Sequence, residues 1–322
     1  MRAIHASGSD DPDHVRIVDI DEPDRGPGEV LIDVHTAGVS YPDVLYARGR
    51  YQVRPAAPFV LGQEFAGVVR EAPTNSPFTR GDRVAAYADR LGAYAEVATA
   101  HESSVFRLPE VVSFEDGAAL VVNHLTAHFA LRHRGRLGAG ETILVHGAAG
   151  GVGSAAIQLA KAWDARVIAV ASDESKAEVA RRAGADDVVG TEDFSDAVRG
   201  LTRGRGVNLV LDPVGGERFT DSLRCLAPFG RMLVVGFTSG TIPTVRVNRL
   251  LLNNTEVIGV GWGYASHIPG FLQRQWQDLL PLLEDGFYRP LISTSLPLDQ
   301  TSEALTALEE RRALGKVVLR VR

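Results

Sequence analysis

Six short runs rich in Val, Ile and Leu recur between residues 142 and 262, and they constrain the fold of this chain more than any other feature. They read "TILVHGA", "RVIAVAS", "DDVVG", "VNLVLDPV", "RMLVVGF" and "TEVIGVGW", and a helix-like segment follows each of the first five. Apolar runs without alternation are typical of parallel strands that are buried on both faces. The pattern therefore predicts an α/β fold with a doubly wound parallel sheet.

The residues before this region have a different pattern. Up to about residue 112, short runs such as "GEVLIDVHTAGV" and "DRVAAYA" are separated by turns rich in Gly and Pro, which predicts a mostly β unit. At Ser113, "SFED" is a capping-box signature that opens a helix, and we expect "RHRGR" (132–136) to be a solvated loop after it. The last strand, "KVVLRVR", could return to the first unit. We expect one domain at 1–122, completed by about 266–322, and a second at 123–265.

Composition excludes several functional classes. The net charge of −6 argues against a nucleic-acid-binding protein. No apolar stretch reaches the roughly 18 residues that a membrane span needs, and "MRAIHASGSDDPDH" lacks the apolar core of a signal peptide. A single cysteine, Cys225, leaves no intramolecular disulfide or multi-Cys metal site, so we expect a cytoplasmic protein. Arginine outnumbers lysine 31 to 3, which draws attention to each lysine.

A glycine-rich turn predicts a dinucleotide site. Ala148, Gly150 and Gly153 give the pattern A-x-G-x-x-G between a predicted strand and a predicted helix. Gly150 lets the backbone approach a pyrophosphate, Gly153 lets the helix pack closely, and the phosphates lie at the helix N-terminus. The second domain is therefore predicted to be a Rossmann domain that binds NAD(P).

The end of the second strand indicates which dinucleotide is bound. An NAD site usually has an acidic residue about 20 residues after the glycines, where it bonds the ribose 2′-OH. Here Ser172 occupies that position, and Lys176 follows one turn later. A hydroxyl and a cation suit a 2′-phosphate, so NADPH is expected over NADH. A shift of one residue would place Asp173 there and favour NADH instead.

Five stretches resemble the zinc-free, quinone oxidoreductase (zeta-crystallin-like) branch of the medium-chain dehydrogenase/reductase superfamily, and the overall pattern extends the resemblance to nearly the whole chain. They are "AGVSYPDVLYARGRY" (37–51), "LGQEFAGVV" (61–69), "LTAHFAL" (125–131), "HGAAGGVGSAAIQLAK" (146–161) and "LDPVGG" (211–216). The resemblance implies a GroES-like catalytic domain before the Rossmann domain. It also implies NADPH-dependent hydride transfer to quinones or α,β-unsaturated carbonyls, and a homodimer that pairs through the last Rossmann strand, "TEVIGVGW".

The resemblance also assigns cofactor-binding residues. Phe237 and Thr238 fall near the nicotinamide end, and Arg311 aligns with an arginine that contacts the 2′-phosphate in some relatives, although Arg312 lies next to it. The full set is Thr126, Ala148, Ala149, Gly150, Gly151, Val152, Gly153, Ser172, Lys176, Val214, Phe237, Thr238 and Arg311.

No zinc is expected. Zinc-dependent relatives use an early Cys, the His of a Gly-His-Glu motif and a further Cys or Asp, whereas these positions here hold Ser40, Gln63 and Asn123 or a neighbour. His124 and His128 have an i, i+4 spacing, but without a third ligand we expect them to pack or hydrogen-bond within a helix.

Without a metal, hydrogen-bond donors must stabilise the oxyanion that forms when a hydride reaches a quinone or enone. The expected donors are Tyr51 first, then Tyr46 and Ser40; in enoyl-thioester reductases of the same superfamily a tyrosine after this turn glycine donates the proton. Two other interpretations stay open at this point. One is an enoyl-thioester reductase acting on acyl-CoA or an acyl carrier, and the other is a non-catalytic, NADPH-binding, crystallin-like structural protein.

Overall fold

The computed structural model describes residues 1–9, 14–285 and 288–322. These residues form two compact units: unit 1 comprises residues 1–123 and 268–322, and unit 2 comprises residues 124–267. The sequence placed the corresponding boundaries at 122/123 and 265/266. Within the described ranges, no helix is both long enough and apolar enough to cross a membrane.

The elements are numbered in chain order. The strands are β1 (Arg2–Ala6), β2 (Val15–Asp19), β3 (Glu29–Val39), β4 (Phe59–Val60), β5 (Glu64–Glu71), β6 (Arg83–Tyr87), β7 (Val97–His101), β8 (Val105–Arg107), β9 (Thr142–Val145), β10 (Arg166–Val170), β11 (Asp187–Val189), β12 (Val207–Asp212), β13 (Leu226–Val234), β14 (Glu256–Gly259), β15 (Ile292–Pro297) and β16 (Lys316–Arg320). The α-helices are α1 (Tyr41–Ala47), α2 (Phe114–His128), α3 (Gly151–Ala162), α4 (Glu174–Arg182), α5 (Phe194–Leu201), α6 (Phe219–Arg224), α7 (Asn248–Asn253), α8 (Trp262–Ala265), α9 (Phe271–Glu284) and α10 (Thr301–Glu309).

Unit 1 is the mostly β domain that the sequence predicts. Its larger sheet has the order β15-β16-β3-β5-β6-β8, with β7 also paired to β3, and a smaller sheet has the order β2-β1-β4. The last strand, β16, runs antiparallel to β3, so the C-terminal segment completes the sheet of unit 1. Val30, Ile32 and Val34 of β3 are fully buried in its core, which follows from their alternation in the sequence.

Unit 2 is the predicted Rossmann domain. All neighbouring strands are parallel, in the order β11-β10-β9-β12-β13-β14. This corresponds to the strand order 3-2-1-4-5-6 of dinucleotide-binding folds. The central strand β9 is buried on both faces, since Ile143, Leu144 and Val145 are all fully buried. The carboxyl end of β9 leads into the glycine-rich turn.

The helix predicted at Ser113 is present, and it extends further than the sequence indicated. Ser113 Oγ accepts the amide of Asp116 at 3.0 Å, as an N-cap does. Phe129–Arg134 continue α2 as a π-helix, so most of "RHRGR" is helical and not a loop, although Arg132, His133, Arg134 and Arg136 are exposed as expected. Ala130 and Leu131 hold this extension in place because they are fully buried, and the Arg132 guanidinium lies 4.4 Å from the centre of the Trp163 ring.

Candidate active site

The glycine-rich turn of unit 2 joins β9 to α3. Gly150 is the N-cap of α3, with φ −86° and ψ 174°, and the helix begins at Gly151. A Cβ on Gly153 would lie 2.1 Å from the carbonyl oxygen of Gly147, so a side chain at this position would collide with the backbone. The turn can therefore close only with glycine at 153.

The same turn directs polar backbone groups outwards from the start of α3. The amides in the first turn of a helix have no intrahelical acceptor, and here they belong to Gly151, Val152 and Gly153. The preceding residues, Ala148 and Ala149, are buried, and their small side chains allow the turn to be tight. This geometry is suited to an anion such as a pyrophosphate.

Ser172 and Lys176 lie together just beyond the end of β10. Lys176 Nζ donates to Ser172 Oγ at 2.9 Å and lies 3.1 Å from Asp173 Oδ2. The side chain of Lys176 is 27% exposed, so it is accessible to a ligand. The two residues predicted to bind a 2′-phosphate are thus in contact.

Asp173, the residue that would favour NADH at this position, begins the next helix. It is the N-cap of α4, where its Oδ1 accepts the amide of Lys176 at 3.0 Å and the hydroxyl of Ser175 at 2.5 Å. Hydrogen bonds from Ser175, from Lys176 and from Ser172 hold the pKa of Asp173 below its usual range. The carboxylate is therefore committed to the start of α4, although it also partly neutralises Lys176.

Two loops meet at the carboxyl ends of β12 and β13. The amide of Thr238 donates to the carbonyl of Pro213 at 3.1 Å, and that of Ser239 donates to Val214 at 2.9 Å. Asp212 Oδ1 accepts the amides of Val214 (2.8 Å) and Gly215 (2.9 Å), and these two bonds fix the loop after β12. The two loops therefore place Val214 and Thr238, both predicted cofactor residues, near one another. Phe237, next to Thr238, is 37% exposed.

Two further predicted cofactor residues belong to other elements. Thr126 is half-buried on α2. Arg311 belongs to unit 1, where it is exposed in the turn after α10 with φ +57°. Its contact with a 2′-phosphate stays a prediction, as do the assigned roles of the other cofactor residues.

Unit 1 contains a buried charged cluster formed by Ser40, Glu64 and Lys316. The side chains of Lys316 and Glu64 are 3% and 0% exposed, and they form an ion pair through Nζ and Oε1. Lys316 Nζ donates to Ser40 Oγ at 2.7 Å, and Ser40 Oγ donates to Glu64 Oε1 at 2.7 Å. The single proton of the Ser40 hydroxyl is therefore directed at Glu64.

The other oxygen of Glu64 faces α2. Glu64 Oε2 accepts the backbone amide of Val122 at 2.6 Å. Gly38 makes this arrangement possible, because a Cβ there would lie 2.3 Å from the carbonyl oxygen of Ala118 and 2.7 Å from Glu64 Cγ. With both carboxylate oxygens bonded, Glu64 has the partners that a buried charge needs.

Asp43 forms a second buried layer beside this cluster. Its Oδ2 accepts the amide of Ser40 at 2.8 Å and the hydroxyl of Tyr94 at 3.0 Å, which completes the capping box of α1. Its Oδ1 is buried without a hydrogen-bond partner among the described residues. Burial raises the pKa of Asp43 to about 7, against the opposing effects of the Ser40 amide, Lys316 and Tyr94.

The two tyrosines predicted to be donors lie next to one another. The ring of Tyr46, on α1, packs on that of Tyr51, with centroids 4.2 Å apart. Burial, followed by the proximity of Tyr51 and Asp43, raises the pKa of Tyr46 to about 12, so its hydroxyl keeps its proton at neutral pH. Tyr46 is only 6% exposed, whereas Tyr51 is half-buried. Tyr51 is thus the more accessible donor.

Gln63 faces a third tyrosine. Its side-chain Nε2 donates a long hydrogen bond of 3.4 Å to the hydroxyl of Tyr87. Its backbone carbonyl accepts the amide of Ala88 at 2.7 Å. Burial raises the pKa of Tyr87, and the proximity of Tyr51 and Tyr46 adds to this effect. Tyr87 therefore belongs to the same group of neutral phenols.

The residues at these positions do not fit a zinc ion. A zinc ligand needs a free lone pair on a thiolate, imidazole or carboxylate. Here Ser40 and Glu64 are engaged with the ammonium of Lys316, and Gln63 offers a neutral amide. The described parts of the chain contain no group of three or more His, Cys, Asp or Glu arranged to bind a metal, and His124 and His128 are buried on α2.

Several residues of these clusters, among them Asp43, Tyr94, Lys316, Asp212 and Tyr87, were not singled out from the sequence. Lys316 could have been found from the scarcity of lysine, because it is one of only three in the chain. Asp212 lies within the "LDPVGG" stretch, where only Val214 was assigned a role. Tyr87 lies opposite Glu64 in the β5–β6 register, a relation that the sequence does not reveal before the strands are paired.

Comparisons with known proteins agree with this architecture. Residues 26–110 match the family model of the alcohol dehydrogenase GroES-like domain, and residues 151–285 match the one described as zinc-binding dehydrogenase. The chain is 38% identical over 299 residues to quinone oxidoreductase-like protein 2 of Rattus norvegicus, covering 91% of this chain and 85% of that protein. It is 31% identical over 324 residues to the quinone oxidoreductase of Homo sapiens, covering 99% and 97%.

A solved structure of a relative has the same fold. The quinone oxidoreductase of Escherichia coli, determined in complex with NADPH, superposes on this chain with a TM-score of 0.92 at 28% identity, and the match covers 100% of both chains.

Proposed function

The chain belongs to the quinone oxidoreductase family of the medium-chain dehydrogenases/reductases, and we propose that it is an NADPH-dependent, metal-independent reductase of quinones or α,β-unsaturated carbonyls. In this proposal unit 2 binds the cofactor and unit 1, the GroES-like domain, supplies the residues that act on the acceptor. The observation that carries the acceptor class is the packed pair of Tyr46 and Tyr51, with ring centroids 4.2 Å apart, beside a cluster that does not suit a metal.

The preference for NADPH rests on Lys176 and Ser172. Their contact at 2.9 Å places a cation and a hydroxyl where the second strand of the Rossmann fold ends, which is where the 2′-substituent of the adenosine ribose is recognised. The E. coli relative was solved with NADPH, which supports the same choice. When bound, NADPH supplies the hydride. The glycine turn, Val214, Phe237 and Thr238 would hold and orient it.

The acceptor class follows from what unit 1 can stabilise. Reduction of a conjugated carbonyl places negative charge on its oxygen, and neutral hydrogen-bond donors stabilise such an oxyanion in a site sheltered from water. A quinone or enone is already activated, so a phenol donor suffices, whereas an alcohol or simple ketone would be poorly served without a Lewis acid. We assign the donor role first to Tyr51, which is the more accessible, and then to Tyr46. Ser40 comes last because its proton is directed at Glu64.

The homodimer is part of the same proposal. β14 is the last strand of its sheet and pairs, among the described residues, with β13 alone. Just before it, Ile242, Val247, Leu251 and Leu252 are between 72% and 77% exposed. An open strand edge beside exposed apolar side chains fits a second copy of the chain across a two-fold axis. The cytoplasmic location expected from the sequence stays a prediction.

The proposal is tested by following NADPH absorbance with a quinone, a 2-enal and a crotonyl thioester as acceptors. We expect turnover of the quinone or the enal, and a loss of about 10- to 1,000-fold in kcat for Tyr51→Phe with the NADPH KM unchanged. Preference for the crotonyl thioester would favour an enoyl-thioester reductase. Cofactor binding without oxidation by any acceptor would favour a structural protein.

A further inference from the structure

The buried ion pair of unit 1 has no assigned task in the reaction described so far. Lys316 and Glu64 are 3% and 0% exposed, and Lys316 is the first residue of β16. A buried pair is weak evidence for stability, because well-packed apolar residues of similar size often stabilise a core as much. The presence of this buried ion pair is therefore better explained by the groups that it contacts.

Those groups come from four separate segments of unit 1. Glu64 begins β5 and Lys316 begins β16, while Ser40 stands between β3 and α1, and Val122 belongs to α2. Each segment contributes a hydrogen bond to the cluster, with Lys316 donating to both Ser40 and Glu64. The cluster thus ties the start of α1 to the sheet and to α2.

Ser40 connects this cluster to the candidate donors. It is the N-cap residue of α1, the helix that carries Tyr46, and the Tyr46 ring packs on Tyr51. Lys316 donates to one lone pair of Ser40 Oγ while the Ser40 proton goes to Glu64, so the hydroxyl has a single orientation. Removal of the ammonium leaves both the hydroxyl and the carboxylate without their cation.

We propose that Lys316 is a positioning residue for the reduction: through Ser40 and Glu64 it holds the N-terminus of α1, and hence Tyr46 and Tyr51, in the geometry that serves the acceptor. This inference rests on the proposed function, since it concerns the same tyrosines. It also explains why this position is lysine in a chain with 31 arginines. A compact ammonium donates here to two acceptors, Ser40 Oγ and Glu64 Oε1, whereas a guanidinium presents its donors in a rigid planar fork.

The test compares Lys316→Met, Lys316→Arg and the double variant Glu64→Gln/Lys316→Met with the wild type. Lys161→Met is the matched control, because Lys161 also pairs with a carboxylate, that of Asp186, at 2.8 Å. For Lys316→Met we expect kcat with a quinone to fall about 10- to 100-fold while the NADPH KM changes less than about twofold, since misplaced donors impair the chemical step and leave unit 2 unaltered. Amide exchange across α1 should quicken, and that across α3 should not.

The double variant separates positioning from stability. It removes the Glu64 carboxylate together with the Lys316 ammonium, so its melting temperature should recover towards the wild-type value while kcat stays low, and Lys316→Arg should recover kcat only in part. Wild-type kcat in Lys316→Met or in the double variant would overturn the proposal. If Lys316→Met fails to fold, the double variant and Lys316→Arg carry the test. If the wild type reduces neither quinone nor enal, the proposed function fails, while amide exchange still reports whether Lys316 holds α1.

Discussion

Gly153 has no room for a side chain in the glycine-rich turn of unit 2. A Cβ there would lie 2.1 Å from the Gly147 carbonyl oxygen, so Gly153→Ala must displace the turn that begins α3. We expect a loss of stability of about 1–3 kcal/mol and a rise in the NADPH dissociation constant of at least about tenfold. Fluorescence titration and thermal unfolding measure the two effects.

The matched control is Gly200→Ala in α5. A Cβ at Gly200 meets nothing within 4 Å, and the residue is exposed in a helix. Alanine should leave cofactor affinity unchanged and stabilise the protein by up to about 1 kcal/mol. Equal cofactor affinities for the two alanine variants would mean that the turn does not need glycine at 153.

We propose that Lys176 determines the preference for NADPH over NADH. Loss of a hydrogen bond to a charged group costs about 1.5–3 kcal/mol, or roughly 10- to 100-fold in affinity. Lys176→Ala should therefore raise the KM for NADPH by that factor and leave the KM for NADH within about threefold. The neighbouring Asp173 carboxylate would then repel a 2′-phosphate without compensation.

Steady-state kinetics with both cofactors make this measurement, with Lys161→Ala as a control lysine whose partner is Asp186. An equal change in the two KM values would remove Lys176 from recognition of the 2′-phosphate.

The elements show which parts of the fold the sequence reveals and which it hides. The six strands of unit 2 were predicted from their uninterrupted apolar runs, because parallel strands in a covered sheet need apolar residues on both faces. The helix α1 was not predicted, although "SYPD" at Ser40 has the same capping-box pattern as "SFED" at Ser113. Its seven residues lie in a region dominated by strands, where a short helix has little periodicity to reveal it.

The candidate site could be predicted only in part, because some of its residues are close in sequence and others are far apart. The glycine turn and Ser172 with Lys176 are local in sequence, and their geometry follows from adjacent elements. The cluster of Ser40, Glu64 and Lys316 joins residues that are 24 and 252 positions apart, so it appears only once β5 and β16 both pair with β3.

The cap of α1 gives a dependence of stability on pH. Burial raises the pKa of Asp43 to about 7 in the folded protein, above its ordinary value near 4 in an unfolded chain. The folded state therefore binds this proton more tightly, and the stability that Asp43 contributes is complete below about pH 4 and is lost as the pH rises through about 7.

The substitution Asp43→Asn removes this titration, because an amide side chain does not ionise. The stability of this variant relative to the wild type should therefore rise between pH 5 and pH 8, by roughly 1–3 kcal/mol. Urea unfolding at several pH values measures the difference, with the exposed Asp24→Asn as a control. A constant difference across this range would show that Asp43 does not titrate there.

At the scale of the whole molecule, the proposed homodimer depends on the surface beside β14. Leu251 and Leu252 are 77% and 76% exposed, and a charge introduced at either position would have to be desolvated on association. We expect Leu251→Glu to shift the protein from dimer to monomer in light scattering. Val111→Glu, at an exposed apolar residue of unit 1, should leave the mass unchanged. A monomeric wild type, or a dimeric Leu251→Glu protein, would contradict this interface.

We propose, above all, that this chain reduces an activated carbonyl acceptor with NADPH and without a metal. The most direct measurement is the rate of NADPH oxidation by a quinone and by a 2-enal, before and after exhaustive dialysis against a chelator, with the metal content of the sample determined. The proposal predicts the same turnover in the metal-free protein. Activity that disappears on chelation and returns only with added zinc would contradict it.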